Sequence, residues 1–267
     1  MFTKDQIVGY NPVLINADID FLEFSIRKNQ VELIEGTGLK KLIDDCKQYI
    51  ELDSKTDFGI VTLKPLLVLY SLSDTLRILW MKKKKFTIQI RAMNSGSFAY
   101  GEISQNDDIN FKDFELEIFS ASHMVQSGLN VNLPQETEGN DLMCNDIEIQ
   151  CKHPESFNRQ KIDGFLRTFQ SSLQSKQKYG ILGIGLDDFL GFTESDFPYD
   201  DAIILNAYTQ KLYSAEAILK EVFDDTLRFC PRVLGVYLIN THFMYSHKLG
   251  PTLTKMTNSV FCLRPNA

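Results

Sequence analysis

Apolar residues recur at three- and four-residue intervals over much of residues 17–81, which is the spacing of amphipathic helices. Residues 17–55 carry this pattern, and Thr37 is the predicted cap of a helix within that stretch. The run PLLVLYSLSDTLRILWM predicts a further helix with Pro65 near its first turn. The run FTIQIRAM (residues 86–93) alternates apolar and polar positions and predicts a strand. We therefore expect a mainly helical N-terminal segment.

A run rich in Gly, Ser, Asn and Asp, NSGSFAYGEISQNDDIN, follows at residues 94–110 and predicts a loop. We place the domain boundary inside this loop. The chain then divides into an N-terminal, mainly helical segment at residues 1–104 and a second domain at residues 105–267.

The second domain alternates between helical and strand patterns. FKDFELEIFSASHMVQ predicts a helix that Gly128 terminates. A short strand, LNVNLP, comes next, and DLMCN with DIEIQCK predicts a hairpin turning at Asn145 and Asp146. A helix, the buried strand YGILGIGL, a long helix, the buried strand RVLGVYLIN and a last strand within SVFCLRP complete the order. This order predicts an α/β (α+β) fold whose mixed central sheet is flanked by helices.

Composition and charge narrow the class of protein. Of 267 residues, 43% are apolar and 24% charged, as in an ordinary globular protein, and the net charge of -7 argues against a generally basic nucleic-acid-binding surface. Residues 152–178 form a local exception, with six basic side chains and two acidic ones. Arg159, Lys161 and Arg167 in the helix of this stretch are the predicted contacts to a DNA backbone.

The N-terminus lacks the basic start and apolar core of a signal peptide. The stretch FGIVTLKPLLVLYSL is interrupted by Lys64 and Pro65 and is too short to span a bilayer. The five cysteines are odd in number, widely scattered and without zinc-site spacing. We expect a cytoplasmic protein with no membrane association.

The run DIEIQCK carries the candidate chemistry. Side chains alternate between the two faces of a strand, so Glu148, Gln150 and Lys152 share one face. Asp141 lies just before the hairpin partner, and the eight intervening residues suffice for a tight turn that brings it near Gln150. Oxygen ligands for Mg²⁺ beside a lysine are what metal-dependent phosphodiester hydrolysis requires. The alternative interpretation is a solvent-exposed edge strand, whose lysine disfavours edge-to-edge pairing with another sheet and so disfavours aggregation.

A helix that contains a glutamate is followed by a strand, the motif GND, an apolar-x-apolar-QxK strand, a helix and a further strand. This order of elements resembles the PD-(D/E)xK nuclease superfamily, the restriction-endonuclease-like fold. The resemblance covers roughly residues 108–240. It implies that Asp141 and Gln150 bind metal, that Lys152 supports the nucleophile, and that Glu115 on the preceding helix is a further metal ligand. All of these assignments are expectations from the family pattern.

Two positions depart from that pattern. Asn140 replaces the usual proline, and Gln150 replaces an acid with an amide oxygen, a neutral and weaker ligand for Mg²⁺. A QxK motif resembles the Mrr-like branch of restriction enzymes. Glu148, two residues earlier on the same face, is the candidate that supplies the missing negative charge.

The resemblance implies a Mg²⁺-dependent endodeoxyribonuclease that acts in restriction or anti-phage defence, with Mn²⁺ as a substitute for Mg²⁺. The alternative is a catalytically inactive, nuclease-fold binding or regulatory subunit of a nucleic-acid-processing complex. In either case the partners are DNA and a helicase or other ATPase that delivers it. A homodimer is a further hypothesis, since many nucleases of this fold cut both strands as dimers, and an RNA-acting toxin of the same fold is a more distant one.

Overall fold

The computed structural model describes residues 2–9, 12–51, 63–95, 111–134, 142–154, 157–186, 202–246 and 252–263. The chain forms two compact units, one of residues 1–9 with 143–267 and one of residues 10–142. We call these the sheet unit and the helical unit. The division falls well after the predicted boundary at 104/105, and the first nine residues belong with the C-terminal part of the chain.

The helical unit contains five described helices: α1 (Pro12–Lys28), α2 (Gly38–Glu51), α3 (Leu63–Met81), α4 (Thr87–Ser95) and α5 (Phe111–Gln126), followed by the short strand β2 (Val131–Asn132). Helix α2 begins directly after Thr37, as predicted. Gly128 has a positive φ of 84° after the end of α5, the conformation that makes glycine a helix terminator. Helix α5 packs against α3 and α4, which explains why it belongs to this unit.

The predicted strand at FTIQIRAM is wrong, because these residues form helix α4. Phe86, Ile90 and Met93 are buried at helical spacing, whereas Ile88 is only half-buried. The alternating pattern placed Gln89 on a solvent-exposed face. Gln89 is in fact fully buried, and its Nε2 donates to Glu117 Oε2 at 3.0 Å. A buried, hydrogen-bonded glutamine therefore made a helical pattern look like an alternating one.

The sheet unit contains β1 (Phe2–Gly9), β3 (Leu142–Cys144), β4 (Ile147–Lys152), β5 (Tyr179–Gly185), β6 (Val233–Ser246) and β7 (Thr252–Leu263). These strands lie in the order β1-β7-β6-β5-β4-β3. Strands β4, β5 and β6 are parallel, whereas β7 pairs antiparallel with both β6 and β1. The predicted mixed sheet is therefore confirmed. Strand β1 was not predicted, because its pattern shows no alternation and its partner lies about 250 residues away.

The predicted hairpin is also confirmed. A two-residue turn at Asn145 and Asp146 joins β3 to β4, and Asn145 adopts a positive φ of 53°. Tight hairpin turns of this length require positive φ, and asparagine accepts it more readily than most residues. The turn chemistry thus fixes which residues of the two strands face each other.

Helices α6 (Arg159–Lys176) and α7 (Ala202–Thr226), with a 3₁₀ turn at Leu227–Phe229, complete the sheet unit. Asn158 caps α6 by accepting from the backbone N–H of Lys161 at 2.9 Å. The core between the helices and one face of β5 and β6 consists mainly of buried aliphatic and aromatic side chains: Phe157, Ile162, Leu166, Phe169, Leu173, Leu182, Ile184, Leu186, Ala215, Leu219, Val222, Leu227, Cys230, Val233, Val236 and Leu238. Both helices therefore pack on the same face of the sheet.

Three glycines of β5 leave room for aromatic rings. A Cβ on Gly180 would overlap the Phe169 ring of α6, so this glycine permits close helix packing. On the opposite face, a Cβ on Gly183 would overlap the Tyr237 ring. A Cβ on Gly185 would overlap His153. The last two glycines thus accommodate rings from neighbouring segments rather than a helix.

We expect Gly183→Ala to lower the free energy of unfolding by about 1–3 kcal/mol, because an added methyl group in a filled core forces neighbouring side chains off their preferred rotamers. Urea unfolding followed by circular dichroism measures the change. Gly164→Ala is the matched control. Gly164 is exposed within α6, with open space around its Cα, so alanine there should raise the free energy of unfolding by about 0.5–1 kcal/mol. Equal stability of Gly183→Ala and the wild type would contradict the packing argument.

Candidate active site

Strand β4 lies inside the sheet, between β3 and β5. The interpretation of DIEIQCK as a solvated edge strand is therefore wrong, and Lys152 does not protect an edge. A polar residue on an internal strand needs a different reason for its presence, since its side chain enters a packed layer.

The polar face of β4 points toward α6. Glu148 is the register partner of Gly180, the glycine whose Cβ position is filled by the Phe169 ring of α6. Glu148 is only 2% exposed, and Gln150 and Lys152 on the same face are half-buried. The candidate site therefore lies at the margin of the core layer.

The opposite face of β4 is apolar and buried. Ile149 and Cys151 are 2% and 1% exposed, and Cys151 Sγ lies 3.5 Å from the Tyr237 hydroxyl oxygen. The predicted separation of apolar and polar faces is confirmed. The polar face, however, is also largely buried.

Glu148 has a partner that the sequence did not indicate. Lys176, in the last turn of α6, donates from Nζ to Glu148 Oε1 at 3.0 Å. The second carboxylate oxygen, Oε2, is buried and accepts no hydrogen bond in the described structure. The Glu148 carboxylate was expected to supply the negative charge that Gln150 lacks. It is instead paired with the Lys176 ammonium group.

The other two predicted metal ligands lie outside the described part of the sheet unit. Asp141 lies outside the described residues, and Glu115 is half-buried on α5 in the helical unit. Within the described ranges, no three or more His, Cys, Asp and Glu side chains form a group that could hold a metal ion. Of the predicted metal ligands, Gln150 and Glu148 are described, and they lie on the same face of β4.

The predicted DNA contacts lie on α6 and are exposed, and both arginines form ion pairs. Arg159 pairs with Asp225 of α7 and lies 3.8 Å from a carboxylate oxygen of Glu221. Arg167 Nε donates to Asp163 Oδ2 at 2.7 Å. Lys161 is exposed in the first turn of the same helix. A phosphate that binds the arginines must compete with carboxylates, which an exposed ion pair allows at small cost.

Comparisons with known proteins leave the family open. No protein family model matches the chain, and no curated protein matches it. A chain of the CdiA-CT/CdiI toxin and immunity complex from Burkholderia pseudomallei is 18% identical, with a TM-score of 0.31 over 62% of this chain and 96% of that one. This likeness is too weak to assign a fold or a function. Among the described helices, none is both long and apolar enough to cross a membrane.

Asp163 connects α6 to the end of α7. Its carboxylate accepts from the Arg167 guanidinium and from the Thr226 hydroxyl, and these hydrogen bonds, with that of Arg167 the larger, lower its pKa below the ordinary value of 3.8. A carboxyl group whose pKa is lower in the folded state stabilises the fold above its unfolded-state pKa. That stabilisation is lost as the pH falls through the folded-state pKa.

We expect Asp163→Asn to lower the free energy of unfolding by about 0.5–1 kcal/mol at pH 7, the usual contribution of a partly exposed charged hydrogen bond. The difference from the wild type should shrink as the pH falls below about 4, where the unfolded-state carboxyl becomes protonated, and should disappear once the pH is below the lowered folded-state pKa. Urea titrations between pH 3 and pH 7 measure this difference. A constant difference over the whole range would show that the charge of Asp163 is not responsible.

Proposed function

We propose that the protein is a metal-dependent nuclease that hydrolyses DNA phosphodiesters, with its centre at the polar face of β4. The observation that supports this proposal most directly is a half-buried Gln-x-Lys pair on an internal strand, beside a buried carboxylate. Polar groups in such a position cost stability unless they are paired, and clusters of them are typical of functional sites.

The hairpin supports a role for Asp141. In a two-residue turn at Asn145 and Asp146, Cys144 faces Ile147, and each step away from the turn adds one pair. In the sequence, Asp141 precedes the turn by four residues and Gln150 follows it by four, which is the spacing of opposed residues in such a hairpin. Side chains of directly opposed residues have Cβ atoms about 4.5–5.5 Å apart, close enough to share one ion.

These residue types fit a hard divalent cation. The Asp141 carboxylate and the Gln150 amide oxygen are ligand types that Mg²⁺ accepts, and the buried Glu148 Oε2 is an oxygen with no hydrogen-bond donor of its own. When bound, Mg²⁺ or Mn²⁺ lowers the pKa of a coordinated water and offsets charge on the phosphate. The Lys152 ammonium would orient the attacking water and stabilise the developing negative charge as the P–O bond to the leaving oxygen breaks.

The wider role follows from the family resemblance alone. We propose restriction or anti-phage defence, with Arg159, Lys161 and Arg167 on the DNA backbone. A helicase or other ATPase that delivers DNA, and a second copy of the chain for cutting the second strand, are proposed partners. Cleavage that appears only when the partner is added would be the signature of such gating.

One observation favours a second candidate function, a catalytically inactive binding subunit. Gln150 carries no charge, and Lys176 neutralises the Glu148 carboxylate. The polar face of β4 therefore offers little negative charge to a cation. Such a protein would bind DNA without cutting it, so binding and cleavage must be measured on the same samples.

The first test is cleavage of plasmid and linear DNA with Mg²⁺ or Mn²⁺, with RNA as the alternative substrate. We expect Lys152→Ala to reduce the cleavage rate by at least a hundredfold, the lower range for loss of a group that assists the nucleophile. Lys178→Ala is the matched control, since Lys178 is another half-buried lysine of the sheet unit, contacts Met143 and has no assigned role. DNA binding without cleavage by the wild type would favour the inactive subunit.

A second test restores the usual acid of the family motif. We expect Gln150→Glu to cleave DNA at a lower Mg²⁺ concentration than the wild type, because a carboxylate binds a hard cation more strongly than an amide. Gln150→Ala should require more metal than the wild type. An unchanged metal dependence in both variants would remove Gln150 from the metal site.

A further inference from the structure

We propose that Lys176 is a built-in competitor for the metal, and that Glu148 becomes a metal ligand when the Lys176 side chain moves out. This inference rests on the proposed metal-dependent function. It assigns to Lys176 a regulatory role on the metal, exerted through the carboxylate that it covers.

The first argument is the state of the Glu148 carboxylate. One oxygen accepts from Lys176 Nζ, and the other is buried without a hydrogen-bond partner in the described structure. A carboxylate so placed is only half satisfied, and removal of its one cation would leave an uncompensated buried charge. The ionised carboxylate is therefore stabilised by a cation, and the Lys176 ammonium group is the cation that the chain supplies.

The second argument is that Lys176 can leave without unfolding the helix. It lies in the last turn of α6, and its side chain is 34% exposed whereas that of Glu148 is 3% exposed. A lysine has a flexible four-carbon stem that can carry its ammonium group from a buried carboxylate to water. The lysine thus separates the carboxylate from solvent and can also uncover it.

The third argument is position. Glu148 and Gln150 lie two residues apart on the same face of β4, about 7 Å along the strand. Both side chains are long enough to converge on an ion between them. With Lys176 in place, Glu148 and Lys176 together carry no net charge, so a divalent cation gains the attraction of the carboxylate only by displacing the ammonium group.

The test measures Mn²⁺ binding by calorimetry without nucleic acid. We expect Lys176→Met, which keeps chain length but removes the competing charge, to bind Mn²⁺ at least tenfold more tightly than the wild type. The double variant Glu148→Gln with Lys176→Met should lose this gain, because the carboxylate is then absent. Lys176→Arg should bind Mn²⁺ as the wild type does, since it restores a cation at that position.

Thermal unfolding provides a second readout on the same variants. We expect Lys176→Met to melt at a lower temperature than the wild type in a chelator and to recover when Mn²⁺ is added, because a ligand that binds only the folded state stabilises it. If Lys176→Met is too unstable for calorimetry, Lys176→Gln takes its place, since its amide can still donate to Glu148.

The outcomes separate this inference from the proposed function. Mn²⁺ binding that depends on Gln150 but is unaltered by Lys176→Met would overturn the competition and leave the nuclease intact. An absence of Mn²⁺ binding in the wild type and in every variant would overturn both. Tighter binding in Lys176→Met that survives removal of the Glu148 carboxylate would also overturn the inference.

Discussion

A carboxylate buried beneath a helix constrains the whole candidate site. Glu148 points from an internal strand into the layer formed by α6, where only a nearby cation makes its charge tolerable. Lys176 supplies that cation because α6 runs back along the sheet and ends beside the start of β4. The close approach of α6 depends in turn on Gly180, which leaves room for the Phe169 ring. The ion pair and the glycine–ring contact therefore act with the apolar core in positioning α6 over the QxK strand.

Local signals were sufficient for most elements of the fold. Asn145 and Asp146 indicated the hairpin, Gly128 indicated the end of α5, and the alternation of Val- and Ile-rich runs with helical runs indicated the mixed sheet. The failures have physical causes. Gln89 is polar yet buried, where it donates a hydrogen bond to Glu117. Because a polar residue occupies a core position, the sequence of this helix alternates like that of a strand. Strand β1 depends on pairing with β7, a contact between the two ends of the chain that no local pattern records.

The site was less predictable than the fold, because alternation shows which side chains share a face and not what covers that face. The sequence correctly placed Glu148, Gln150 and Lys152 together. It did not distinguish a face open to solvent from one packed beneath a helix. Lys176 lies 28 residues from Glu148 and looked like one basic residue among six. Its role depends on the length and direction of α6, which only the folded chain defines.

Under the proposed function, the charges on the polar face of β4 affect the order in which DNA and metal bind. Among the described residues, two ammonium groups, Lys152 and Lys176, accompany one buried carboxylate, that of Glu148. Under the proposed function, a phosphate group is attracted to such a face before a divalent cation is. A phosphate oxygen that binds the Lys176 ammonium would draw it from Glu148 and expose the carboxylate. DNA and metal would then bind cooperatively, because each removes a charge that opposes the other. A glutamine in place of the usual acid fits this arrangement, since a weaker permanent ligand leaves the metal dependent on the substrate.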